Sequence, residues 1–179
     1  MLQFGPFITE KEKGKLIPII QQLVDMIPHH VQGNIHIKDE YTIIKAFGED
    51  LSYEYGNQRE CILELQSTES VPLLVAYNDE DLFLVWDIVF GETLPVIAKE
   101  QGISIYEFKD ELVQSLQAML KKGWYLPNVD LHHVVWCEDC NALFIVDYAG
   151  CERVHGRTFE EYNQEMLARI NLLFQQYEQ

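Results

Sequence analysis

Apolar positions follow two rhythms along this chain, and the switches between them mark out its elements. Leu16, Ile20, Leu23 and Ile27 fall at helical spacing behind Thr9 and Glu12, which have the spacing of a capping box. Gly14 and Pro18 weaken the first half of that helix. Ile35 to Ile37 and Tyr41 to Phe47 read as strands, joined as a hairpin across Lys38, Asp39 and Glu40. A helix is expected around Gln58 to Gln66, then a second hairpin of Leu73 to Tyr77 and Leu82 to Asp87. Ser104 and Glu107 form another capping box, followed by Ile105, Phe108, Leu112, Leu116 and Met119 on one helical face, with Gly123 as the C-terminal stop. Val134 to Trp136 and Leu143 to Val146 are short apolar strands around the turn Cys137 to Asn141. The last helix opens on Thr158 and Glu161 and carries Phe159, Tyr162, Met166, Ile170, Leu173 and Tyr177. Strands come early and helices late, which predicts an α+β fold and excludes a doubly wound parallel sheet.

Composition sharpens this picture. The 179 residues are 47% hydrophobic and 23% charged, as in an ordinary globular domain. No repeat, low-complexity run or linker-like stretch divides them, so one domain over 1–179 is expected. The formal net charge of −16 repels phosphate backbones and anionic lipid, which argues against nucleic acid and bare membrane and favours a basic protein partner. The N-terminus has no cationic start followed by an apolar run, and no apolar stretch approaches the roughly 20 residues of a membrane span. The expectation is a cytoplasmic protein; a non-cleaved secretion signal would be invisible to that test. Oligomeric state is open, because Phe159 to Tyr177 could pack on its own domain or on a second copy.

The four cysteines, Cys61, Cys137, Cys140 and Cys151, are expected as thiols or ligands in a cytosolic protein. Cys137, Cys140, Cys151 and His155 have the look of a Cys₃His zinc set. Ala142 to Ala149 reads as one extended strand, however, and would hold the two pairs about 26 Å apart at roughly 3.3 Å per residue. His29 and His30 read as a loop after the first helix.

The element order and several local words resemble a protein kinase. Thr42 to Phe47 (TIIKAF) is similar to the strand presenting the nucleotide lysine, so Lys45 is the candidate for the ATP phosphates. Arg59 to Gln66 (RECILELQ) resembles the helix that orients that lysine through an ion pair, with Glu60 as partner. Leu82 to Leu94 (LFLVWDIVFGETL) resembles the last small-lobe strand, the hinge and the start of the large lobe. Trp86 then stands as gatekeeper, and Asp87, Ile88 and Val89 offer backbone groups to adenine. In Gly123 to Gly150, Asp147 resembles the Asp that holds Mg²⁺. The H-R-D-L-x-x-x-N pattern aligns without a gap so that Asn128 stands for the catalytic Asp and His133 for the metal-binding Asn. A second alignment puts Asp130 at the catalytic Asp, with Leu131 and His132 following, and needs a two-residue deletion before His133. A His at the metal-binding Asn resembles the bacterial lipopolysaccharide-core kinases.

Two kinase features are absent: a Gly-rich loop before Lys45, and a long activation segment after Asp147. The nearest size analogues are RIO-type kinases and minimal kinase-like effectors of pathogenic bacteria. The resemblance implies a two-lobed fold, an antiparallel small lobe over about 1–88 and a truncated helical large lobe over about 89–179. It implies ATP and Mg²⁺ as ligands. With Asn128 in place of the base it implies a pseudokinase or regulatory binding module; with Asp130, a small kinase acting on protein or small-molecule hydroxyls. The alternative of another class is an acidic partner-binding protein without nucleotide, of the size and charge of secretion chaperones and immunity proteins.

Overall fold

A computed structural model describes every residue except Glu69, Glu178 and Gln179. The chain is mixed α and β, and the strand pairs of the described residues are antiparallel. It divides into two compact units, one of Met1–Gln66 with Pro72–Ile88 and one of Ser67–Val71 with Val89–Gln179.

The first unit holds the strands β1 (Gln3–Phe4), β2 (Asn34–Lys38), β3 (Thr42–Phe47), β4 (Leu74–Asn78) and β5 (Phe83–Asp87), in the order β1-β4-β5-β3-β2. Helix α1 (Glu10–Asp25) lies against this sheet. Thr9 and Glu12 close its capping box, as the sequence predicts. Pro18 does not break it. The reason is tertiary: Ile20 and Leu23 bury against Ile44, Ala46, Val75, Ala76, Phe83 and Val85, and a packed apolar face outweighs a local propensity penalty. A register shift between Leu74 and Ala76 lets consecutive Val75 and Ala76 share that core. Helix α2 (Ser52–Leu65) follows β3. It begins six residues before the predicted Gln58, because Leu51 at its start gives no side-chain cap to signal it.

In the second unit, β6 (Glu92–Thr93), β8 (Val134–Cys137) and β9 (Ala142–Ile145) form a sheet in the order β6-β8-β9, while β7 (Trp124–Tyr125) pairs with β10 (Glu152–Arg153). Gly91 leads into β6 where an added Cβ would run into the Trp136 carbonyl oxygen, so only glycine fits that approach. Helix α3 (Leu94–Gln101) starts with Pro95 in its first turn and ends on Gly102 at φ 65°. Ser104 caps a 3-10 turn (Ile105–Phe108) rather than the long helix itself, and α4 (Lys109–Lys121) continues from it. Helix α5 (Phe159–Gln175) carries the predicted Thr158–Glu161 capping box. It buries Tyr162, Met166, Ile170 and Phe174 beside the apolar face of α4.

Two sequence expectations are corrected here. Cys137 and Cys140 close the β8–β9 turn as a disulfide, with Cα atoms 5.3 Å apart, instead of standing as free thiols or metal ligands. A tight turn brings residues at this spacing within bridging range. The predicted strand from Ala142 to Ala149 ends at Ile145, because the chain turns where Asp147 accepts the Ala149 N–H and Gly150 takes φ 75°.

Candidate functional site

Lys45 stands on β3 between Ile44 and Ala46. Those two enter the α1 core, so strand alternation turns Lys45 to the opposite face. There its side chain is 2% exposed. Its Nζ donates to Gln58 Oε1 on α2 at 3.2 Å and lies 5.2 Å from the centre of the Phe47 ring. Gln58 in turn donates from Nε2 to Glu54 Oε1 at 2.8 Å, one helical turn back. This chain fixes the amide orientation chemically. Lysine only donates and an ionised carboxylate only accepts, so Gln58 must turn its oxygen to Lys45 and its nitrogen to Glu54.

Glu60, the expected partner of Lys45, lies elsewhere. Two residues beyond Gln58 is about 200° around an α-helix, and Glu60 points to solvent, pairing with Arg59 at 3.7 Å. The sequence signal for Gln58 is the set Tyr55, Gln58, Ile62 and Leu65 at helical spacing, all buried. A polar residue within an apolar stripe is the one that must find a partner.

A second network anchors α2. Asp79, in the β4–β5 turn, accepts from Tyr55 Oη at 2.8 Å, from Gln3 Nε2 at 2.9 Å and from Arg59. Burial and the Asp79 hydrogen bond push the Tyr55 hydroxyl well above its ordinary range. Burial also works against ionised Asp79, but its donors outweigh burial and hold the carboxyl below the usual value.

At the end of β5, Trp86 is buried and sits opposite Ile43 on β3. The Asp87 N–H donates to the Leu73 carbonyl at 3.1 Å, and the Ile88 N–H to the Tyr41 carbonyl at 2.8 Å. Both donors belong to the sheet, so an adenine edge would have to meet other groups of the segment from Asp87 to Val89. Asp87 is half-buried; burial, and then the charge of Glu12 on α1, raise its carboxyl above the ordinary range.

In the second unit, the β8–β9 hairpin joins His133 and Asp147 at its base. His133 immediately precedes β8, Asp147 follows β9, and the Val146 N–H donates to the His133 carbonyl at 2.9 Å. His133 Nδ1 then lies 3.5 Å from Asp147 Oδ2, while Asp147 Oδ1 accepts the Ala149 N–H at 3.0 Å. Both side chains reach solvent, at 51% and 29% exposure. Asp130 is exposed and caps the turn Leu131–His133, its Oδ1 accepting the His132 N–H at 2.9 Å. Asn128 is exposed and near Gly150: its Nδ2 would be 3.5 Å from a Cβ there.

The hard, oxygen-preferring Mg²⁺ is commonly held by one or two carboxylates together with substrate phosphates and water. Asp147 offers one such carboxylate, its Oδ2 facing the His133 imidazole and its Oδ1 the Ala149 N–H. Among the described residues no group of three or more His, Cys, Asp or Glu side chains is placed to hold a metal ion. Cys151 is buried, and His155 Nδ1 lies 3.0 Å from the Arg153 carbonyl oxygen. No helix of the described residues is long and apolar enough to cross a membrane. No protein-family model matches the chain, and no curated protein matches it.

Proposed function

We propose that this chain is a kinase-like nucleotide-binding module of minimal two-lobed type, working as a pseudokinase or regulatory binder rather than as a phosphotransferase. One observation carries the reading: a lysine on an inner strand, almost fully buried, is held by a side chain of the helix that follows that strand. Burying a lysine is costly unless its charge is paired or hydrogen-bonded, and Gln58 supplies one such acceptor. A positive charge fixed in this way is what a nucleotide's phosphates require. The kinase resemblance gives Lys45 of the first unit the phosphates and the segment from Asp87 to Val89 the base, and it gives Asp147 with His133, within the second unit, the metal. Bound Mg²⁺ would supply charge neutralisation for the phosphates.

The local chemistry favours binding over transfer. Asn128 is an amide and takes no proton as a general base. Asp130, the other candidate, caps the Leu131–His133 turn through Oδ1. A strongly acidic surface fits delivery of the nucleotide-dependent state to a basic protein partner.

The test is titration calorimetry of the purified chain with ATP, with and without Mg²⁺, beside a phosphate-release assay. The expected result is Mg²⁺-dependent binding that Asp147→Asn weakens, with no turnover. Phosphate transfer abolished by Asp130→Asn would make the chain an active kinase. Absence of binding in both conditions would remove the nucleotide from the account and leave the acidic partner-binding reading.

A further inference from the structure

The β8–β9 turn has a chemistry of its own that the nucleotide reading does not use. Cys137 and Cys140 form the disulfide across it, and the two sulfurs are placed unequally. Cys137 is 3% exposed, whereas Cys140 lies at the exposed tip beside exposed Glu138 and Asp139. The Cys140 N–H donates to Cys137 Sγ at 3.2 Å. Asn141, at φ 48°, holds the turn that makes this geometry. Cys140 is therefore the exposed cysteine of the pair, and Cys137 the buried, hydrogen-bonded one.

The geometry points to a thiol–disulfide exchange site at this turn, with Cys140 as the sulfur that reacts with low-molecular-weight disulfides and Cys137 as the resolving sulfur. In the reduced chain the Cys140 thiolate attacks one sulfur of RS–SR. That S–S bond breaks, a mixed disulfide forms on Cys140, and RS⁻ leaves. The Cys137 thiolate then attacks Cys140 Sγ, closes the intramolecular disulfide and expels the second RS⁻. The protein gives up two electrons and RS–SR accepts them; the two thiol protons end on the two departing thiols. Attack at an accessible sulfur governs such exchange. The carboxylates of Glu138 and Asp139 select the reagent: an anionic disulfide is repelled at the tip and a cationic one is drawn to it. The chemical class is thus a small aminothiol disulfide, for which cystamine is the probe. The same hairpin carries His133 and Asp147 at its base, so the exchange would act at the far end of the two strands that position them.

The experiment reduces the full chain, removes the reductant, exposes it to cystamine or oxidised glutathione, and reads adducts by intact mass spectrometry. Cys137→Ser should accumulate one adduct with cystamine, mapped to Cys140. Cys140→Ser should react slower by on the order of tenfold or more. Cystamine should outpace oxidised glutathione, with the gap narrowing at high salt. Equal reaction of the two variants, or glutathione reacting as fast as cystamine, would overturn the assignment. A further reading on the unmutated chain needs no variant to fold. Alkylation after denaturation should count two thiols, Cys61 and Cys151, in the oxidised chain and four after reduction. Four thiols under oxidising conditions would overturn it as well.

Discussion

Lys45 and Asp147 are charged residues of opposite kinds of place. Lys45 is almost fully buried beside Gln58 and Phe47 on an inner strand, and its position is set by packing and by a hydrogen-bonded chain back to Glu54. Asp147 sits in a turn at the base of a hairpin, partly open to water, with one oxygen spent on the Ala149 N–H and the other toward His133. The contrast teaches what each kind of place asks of a charged residue. A buried charge is bound to the stability of its surroundings and cannot be removed without structural cost. A turn residue depends far less on the core and can be exchanged to test chemistry alone.

The largest expected effect comes from that contrast. Lys45→Ala leaves a cavity and strips Gln58 of its donor, and should cost about 2–4 kcal/mol in denaturant unfolding. Asp147→Asn keeps the oxygen that caps Ala149 and should cost less than Lys45→Ala. Equal losses would erase the distinction between the two places. Next in size, Gln58→Ala should cost about 1–3 kcal/mol, since it leaves a buried ammonium without that acceptor. Glu60→Ala should be nearly silent, within about 0.5 kcal/mol, because its carboxylate points to solvent. The reverse order would return the lysine partner to Glu60.

The smallest effect concerns pH. Burial, and then Glu12, raise the Asp87 carboxyl above its ordinary value. The fold therefore disfavours ionised Asp87. The resulting cost begins as pH rises past the unfolded-state value and is complete above the folded-state value. Asp87→Asn should accordingly raise the midpoint of thermal unfolding at neutral pH, by less than either loss above. That gain should vanish below the ordinary carboxylate range; a gain that persists there would place its origin outside ionisation.

The same contrast explains what the sequence makes legible. The capping boxes at Thr9 and Thr158 and the hairpins around Lys38 and Asp79 are local signals. They sit at the expected places, because adjacent residues settle them. Helix α3 is missing from the sequence expectations although Pro95 and Gly102 mark its ends; the kinase-like wording of the segment claims its first residues as the stretch after the hinge. Glu60 faces solvent while Gln58, two residues earlier, bonds Lys45, because a motif match supplies spacing but not the face of the helix. The meeting of His133 with Asp147 is reachable from the alignment, since a hairpin brings its two ends together. The Cys137–Cys140 bridge is hidden by an argument from compartment, where the spacing across a turn is the better guide. The Asp79 network is not reachable. It depends on three separate segments, and no local pattern in any of them announces a shared acceptor.

The most direct test of the central claim is thermal unfolding of the chain with millimolar ATP, with and without Mg²⁺, beside Asp147→Asn. A ligand at 100 times its dissociation constant stabilises by about 2.7 kcal/mol, or roughly 5–10 °C in a domain of this size. The account expects a rise of that order with ATP and Mg²⁺ together, and its loss in Asp147→Asn, each shift read against the ligand-free midpoint of the same chain. A folded chain whose midpoint does not move under any of these conditions would contradict it.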